Sequence, residues 1–341
     1  MSATASLSRR PATPQGRDHL GRLLRIGLLP VLLLVVVAGT SLLSPYFLGW
    51  MNIVNILRMA AFLAIIACGQ AMVIVAGGFD LSVGAVVALA SVVTAKVMAA
   101  LATSLGGPDI LVVVLGVLAG LGSGFAVGLF NGLCVSRLKV SGFVVTLGTM
   151  SATAGIGLLL TNGIPVYGMP KSFIQNVGRL QFLGLPIAIY IALAIILAMA
   201  FVQRRTLFGR YVYAIGGNQE AAVVSGVPIR RHLVGTYVLS GVFAASVGIL
   251  LTALVGSGQA TLGGDAMMLQ SIAAAVIGGV SLRGGIGRVE VVAVAALFLT
   301  ILSNALNLLR IDSRLQPIFL GLIMVLAVAL DEYSRRRMSS V

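Results

Sequence analysis

Few residues in this chain are of a type that does chemistry, and their spacing assembles no reaction centre. His19 and His232 stand in basic, polar stretches with no second ligand beside them, so they define no metal set. Cys68 and Cys134 both lie inside apolar runs, where a thiol acts as a small hydrophobe rather than as half of a disulfide. No paired carboxylates and no histidine cluster support a membrane-embedded enzyme. The only lysines are Lys96, Lys139 and Lys171, and none follows a glycine. The chain therefore lacks the phosphate-cradling loop G-x4-G-K-[ST]. The GGIG run at 284–287 has no strand–turn–helix unit around it and reads as a loop or re-entrant turn at a helix junction.

Three polar residues sit in apolar surroundings. Asp80 is the one acid in the apolar middle of the N-terminal half. An ionised Asp at a helix centre costs about 2.5–3.5 kcal/mol on insertion scales, so its place needs a reason. Gly77 and Gly78 suggest a broken helix in which free backbone groups and Ser82 share the burden. Asp80 then belongs either to a permeation path or gating turn, or to the cap of the following helix at the cytoplasmic interface. Gln70 and Asn131 are neutral groups within helices, suited to interhelical hydrogen bonds or to a translocation path.

The stretch FGRYVYAIGGNQEAAVVSGVPIRRH is the most informative. Gly216 and Gly217 interrupt structure, Asn218 is a ready N-cap, and Glu220 falls in the first turn of a short helix. Ala221, Ala222, Val223 and Val224 give a small apolar face before Gly226 and Pro228 stop it. A helix this short is marginal alone. It is either an ordinary surface turn or an element that docks into a groove on a partner, where small alanines allow close approach.

The elements that must position these residues follow from composition. Hydrophobic residues make up 59% of the 341 and charged residues 9%, with a mean hydropathy of +1.08. A soluble domain carries roughly 25% charged residues, so this chain builds no water-facing surface. Runs of about 20 apolar residues cross a bilayer core, and in lipid they must be helices. The expected class is an all-α polytopic bundle of about ten spans, at 26–43, 57–77, 83–103, 110–135, 142–161, 185–203, 233–255, 266–281, 289–309 and 315–331. Residues 1–25 are expected to form an N-terminal tail, 26–331 one transmembrane domain, and 332–341 a C-terminal tail. With the N-terminus inside, 17 of the 23 basic residues fall on the cytoplasmic side, among them Arg137, Lys139, Arg204, Arg205, Arg230, Arg231 and Arg283. Both termini are therefore expected in the cytoplasm. The net charge of +14 follows this loop bias, which suits anionic lipid and gives no case for nucleic acid. The segment 44–55 reads as an uncharged external loop with Trp50 as an interface anchor. The segment 162–184 reads as the longest external one, with Lys171 and Arg179 placed to meet acidic residues of a partner. Gly120, Gly124, Gly128 and Gly132 make a small-residue groove along one helix for close packing.

EAA-x3-G in the main internal loop of a multispan protein resembles the coupling helix of ABC importer permeases. Four blocks in order, AGGFDLSVGAVVAL, GLFNGLCVSRLKVSGFVVTLGTM, FGRYVYAIGGNQEAAVVSGV and AAAVIGGVSLRGGIGRVE, resemble the ribose-type permeases of monosaccharide ABC importers from about Asn52 to Asp331. The chain departs at Ser141-Gly142, where that family often has proline. The resemblance implies a permease subunit in the bacterial inner membrane, without an ATPase site of its own. It further implies a dimer of permeases, two ATPase subunits that bind ATP and Mg, and a secreted sugar-binding protein that delivers a small sugar. Glu220, Ala221, Ala222 and Gly226 would transmit the ATPase stroke, with Arg230 and Arg231 flanking the contact. Two rivals remain: an importer of another small polar solute, such as a branched-chain amino acid or nucleoside, and an ion-coupled transporter relying on Asp80 and Lys96.

Overall fold

The computed structural model describes residues 28–104 and 108–312, with residues 315, 318, 319, 321, 322, 325 and 326. The expected tail 1–25, most of the expected helix 315–331 and the tail 332–341 lie outside the described residues. The described chain is mostly helical: α1 Leu28–Leu43, α2 Trp50–Val75, α3 Val83–Ser104, α4 Asp109–Leu138, α5 Gly142–Thr161, α6 Ile187–Arg205, α7 Leu207–Gly217, α8 Gln219–Val224, α9 Ile229–Val255, α10 Gly264–Ile277 and α11 Val289–Leu308. Seven of them, α2 to α6, α9 and α11, are long and apolar enough to cross a membrane. α10 has 14 residues, about 21 Å at 1.5 Å per residue, and falls short of a bilayer core alone.

Most boundaries follow the apolar runs, and two expectations need correction. Residues 50–56 are helix rather than part of an external loop, because no residue after Gly49 breaks the run into α2. Trp50 therefore sits in the first turn of α2, where Asn52 Nδ2 donates to the Phe47 carbonyl at 2.8 Å. The internal segment 204–232 is mostly helical, since α7 fills its first half. The segment 162–184 holds the short helical pieces Lys171–Phe173 and Ile174–Arg179. It ends in the first strand of a hairpin, β1 Gln181–Phe182 with β2 Leu185–Pro186, turned by Leu183 and Gly184 at positive φ.

α2 is the buried axis of the bundle, covered from Ala60 to Val75. It packs against α11, α9, α10 and α6, while α9 in turn makes its largest contact with α4. That contact is built on the glycine stripe. A Cβ at Gly124 would strike the Gly241 carbonyl, one at Gly128 the Tyr237 carbonyl and Val238 Cα, and one at Gly132 the Val234 Cα. Only backbone hydrogens fit between two helices this close. Packing therefore accounts for the stripe.

The two ends of the bundle are distinct. At one end the segment after α5 folds over the end of α9: Val166 and Gly258 exchange backbone hydrogen bonds at 2.8 and 2.9 Å, and Ser172 Oγ donates to Asp109 Oδ2 at 3.0 Å. Gly184 lies beside Trp50 there. The opposite end carries α7 and α8.

Gly128→Leu should push α4 away from α9 and destabilise the protein by about 1–3 kcal/mol, the usual cost of overpacking. Gly122, with open space around its Cα, is the control. Thermal unfolding in detergent should show a clear loss for Gly128→Leu and almost none for Gly122→Leu; equal curves would contradict the packing account.

Candidate functional site

The site grows from α6 and α7, which leave the bundle and return to it. Gln203 on α6 is buried and clamps the backbone ahead of α11: its Nε2 donates to the Gly287 carbonyl at 3.3 Å, and its Oε1 accepts from the Val289 N–H at 3.1 Å. Tyr213 on α7 donates its hydroxyl to the same Gly287 carbonyl. Burial, with the Glu290 carboxylate second, pushes the Tyr213 phenol above its ordinary value, while Arg204 and Arg288 pull the other way. The phenol thus keeps its proton as a donor. Arg204 and Glu290 form an ion pair beside it.

Glycines close the joint. The Gly285 N–H donates to the Val75 carbonyl at 2.8 Å, giving a partner to one of the acceptors that α2 leaves open at its C-terminus. Gly216, near the end of α7, lies against both groups, and a Cβ there would overlap the Val75 oxygen and crowd the Gly285 nitrogen. Gly284 and Gly285 take φ of +87° and +73° to bring the loop in. The end of α2, the start of α11 and the end of α7 therefore meet backbone to backbone. The GGIG run is a loop at a helix junction, as its sequence context suggested.

α8 projects from this joint. Asn218 caps it, Oδ1 accepting from the Ala221 N–H at 2.9 Å, and Glu220 lies in its first turn. Gly226 ends it at φ +75°, with its own N–H bonded to the Val223 carbonyl and that of Val227 to the Ala222 carbonyl. α8 is not isolated, since it rests on α7 and α9. Ala222 is 4% exposed and faces this internal contact, so bulk there would lift the helix instead of meeting a partner. Glu220 and Ala221 are exposed, and Val223 and Val224 are 60% and 90% exposed. Arg230 and Arg231 stand exposed in the first turn of α9, next to His232, whose ring packs against Phe208 and Tyr211 of α7.

Asp80 occupies the connection between α2 and α3, 1% exposed. Oδ1 accepts from the Ser82 N–H at 3.0 Å and from Ser82 Oγ at 2.6 Å, which shapes the start of α3. Oδ2 accepts from Ser240 Oγ of α9 at 2.7 Å. Asn131 of α4 donates Nδ2 to Ser82 Oγ at 2.9 Å. Tyr237 donates to the Phe79 carbonyl at 3.2 Å, and Thr146 of α5 accepts from the Leu81 N–H at 3.0 Å. Three helices, α4, α5 and α9, thus hold one seven-residue connection. Gly142 leaves room for the Tyr237 hydroxyl against this connection.

The remaining residues stand apart. Gln70 is fully buried in α2 with both amide atoms unpaired among the described residues, so the interhelical hydrogen bond expected of it is not made. Lys171 and Arg179 are exposed at the far end of the bundle. Lys96 is exposed on α3 and donates to the Leu160 carbonyl near the end of α5. Cys68 is buried and Cys134 half-buried, both free. Sequence reasoning overlooked Gln203, Tyr213 and the joint role of Gly216 and Gly285. One signal was present: G-G-x-x-L-x-x-G occurs at 77–84 and again at 278–285, the two loops that converge on the joint.

Residues 52–328 match the family described as branched-chain amino acid transport system / permease component. The ribose import permease protein of Bacillus subtilis is 38% identical over 94% of this chain and 96% of its own length. The D-allose transport system permease protein of Escherichia coli is 35% identical over 88% of this chain and 89% of its own, and the L-arabinose transport system permease protein of the same organism 34% over 96% and 97%. No solved structure matches.

Proposed function

The chain belongs to the family of branched-chain amino acid transport system permease components, and from that premise we propose that it is the multi-pass membrane subunit of a bacterial ABC importer that moves a monosaccharide across the inner membrane. The observation that carries the cargo is similarity over nearly the whole chain to permeases named for ribose, allose and arabinose. The family description also covers amino acids, but these relatives are sugar permeases. An ion-coupled mechanism finds little support: Asp80 is engaged by two serine hydroxyls, and Lys96 by a helix-end carbonyl.

Energy would come from a separate ATPase subunit that holds ATP and Mg. α8 is the contact, with exposed Glu220, Ala221, Val223 and Val224 entering a groove of that subunit, Arg230 and Arg231 beside it, and Gly226 letting the chain leave the helix. Closure of the ATPase pair pushes α8. The push passes through Gly216 to the ends of α2 and α11 and rocks the spans between outward-open and inward-open states. A second permease subunit completes the path, and a secreted binding protein delivers sugar at the far end, where Lys171 and Arg179 offer positive charge to an acidic partner. Ten spans with both termini in the cytoplasm fit the basic residues around α7 and α8.

Two experiments test this reading. Val224→Glu, at an outward position with no internal contact to lose, should leave insertion intact, release the ATPase subunit in a detergent pull-down and abolish uptake of the cognate sugar. Normal pull-down and uptake would remove α8 from the coupling account. Separately, reporter fusions at Val341 and between Lys171 and Arg179 should report opposite sides of the membrane; the same side for both would end the ten-span topology.

A further inference from the structure

At the Trp50 end, α2, α10 and α11 line a half-open cavity of about 170 Å³. Its polar lining is Asn55, Gln270, Thr300, Ser303, Asn304 and Asn307, all neutral amides and hydroxyls. Residues 300, 304 and 307 recur at helical spacing and so share one face of α11. Met59 and Phe62 supply an apolar wall. Asn304 is fixed by a reciprocal amide pair with Asn52, at 2.8 and 3.0 Å, and Thr300 Oγ1 donates to the Ala296 carbonyl at 2.9 Å. Asn55, Gln270 and Ser303 make no side-chain hydrogen bond to another described residue. The lining contains no charged side chain among the described residues.

We propose that this cavity is a subsite for an uncharged polyhydroxylated molecule, a monosaccharide, on its way through the protein. The proposal rests on the sugar-import reading and gives it a location. Amides and hydroxyls donate and accept at once, which matches sugar hydroxyls that do the same. An apolar wall beside a few convergent polar groups suits the C–H face of a sugar ring. A zwitterionic amino acid is a poor occupant, because its ammonium and carboxylate would enter without a counter-charge. The cavity lies about 24 Å along α2 from Val75, taking Met59 as its near wall. α2 and α11, which line it, are the two spans whose other ends are held at the Gly216 joint. Movement of that joint therefore reaches the cavity walls through two rigid helices.

The test uses the complete importer, with its own ATPase and binding protein, in proteoliposomes. Uptake of D-ribose, D-allose, L-arabinose and L-leucine is measured first. Ser303→Cys, in a background of Cys68→Ala and Cys134→Ala, is then labelled with a small charged thiol reagent. The transported sugar should slow labelling several-fold while leucine does not. Gln270→Leu should lower uptake of that sugar about tenfold, the loss of one hydrogen bond of about 1.4 kcal/mol, with insertion and ATPase binding unchanged. If a sugar is imported yet neither labelling nor Gln270→Leu responds, the subsite is wrong and sugar import stands. If leucine alone is imported and protects Ser303→Cys, both readings fall.

Discussion

The Val75 carbonyl is the group on which the rest of the arrangement depends. A helix ends with acceptors that its own backbone cannot fill, and at the edge of a bilayer those acceptors need protein partners. Here the partner of Val75 is the Gly285 N–H, supplied by the loop before α11. That single backbone bond ties the buried axis α2 to α11. It also leaves so little space that only a glycine, Gly216, lets α7 lie across the pair. Gln203 and Tyr213 reinforce the same place by holding the Gly287 carbonyl. α7 and α8 are thereby joined to the bundle by backbone contact, which transmits displacement better than flexible side chains.

Polar groups elsewhere are distributed to serve this frame. The connection after α2 would be a weak point, since it buries a carboxylate with no cation beside it. Two serines, one backbone N–H and the amide of Asn131 satisfy or support it, and they come from α4 and α9 as well as from the connection itself. Buried polar groups satisfied from several helices fix one packing arrangement. The glycine stripe of α4 does the same between α4 and α9 by shape alone. The neutral amides and hydroxyls of the cavity lie at the other end of α2 and α11, away from this network.

Much of this was legible in the sequence. Apolar length located the seven helices long enough to cross a membrane, most of their ends to within a few residues, because hydropathy in a membrane protein reports directly on the burial of the backbone. Asn218 and Gly226 gave the limits of α8, since a cap needs an Asx oxygen and a helix exit needs a residue at ease with positive φ. The direction of Ala222 was not legible: six helical residues carry no reliable periodicity, and only packing against α7 and α9 decides which side is inward. α7 was hidden because its glycines look like breakers, although they serve close approach within a helix. The partners of Gln203 and Gly216 are distant in sequence, so spacing alone did not reveal them. The paired G-G-x-x-L-x-x-G runs carried the only hint that two loops share a destination.

The central claim is that force from α8 enters the bundle through Gly216. The most direct measurement compares sugar uptake and ATP hydrolysis of the reconstituted importer carrying Gly216→Ala with those carrying Gly217→Ala. A Cβ at residue 216 would overlap the Val75 carbonyl, whereas one at residue 217 would meet open space. The account predicts that Gly216→Ala keeps its ATPase subunit bound and hydrolysing while uptake falls to background, and that Gly217→Ala transports normally. Equal, wild-type uptake by the two variants would contradict it.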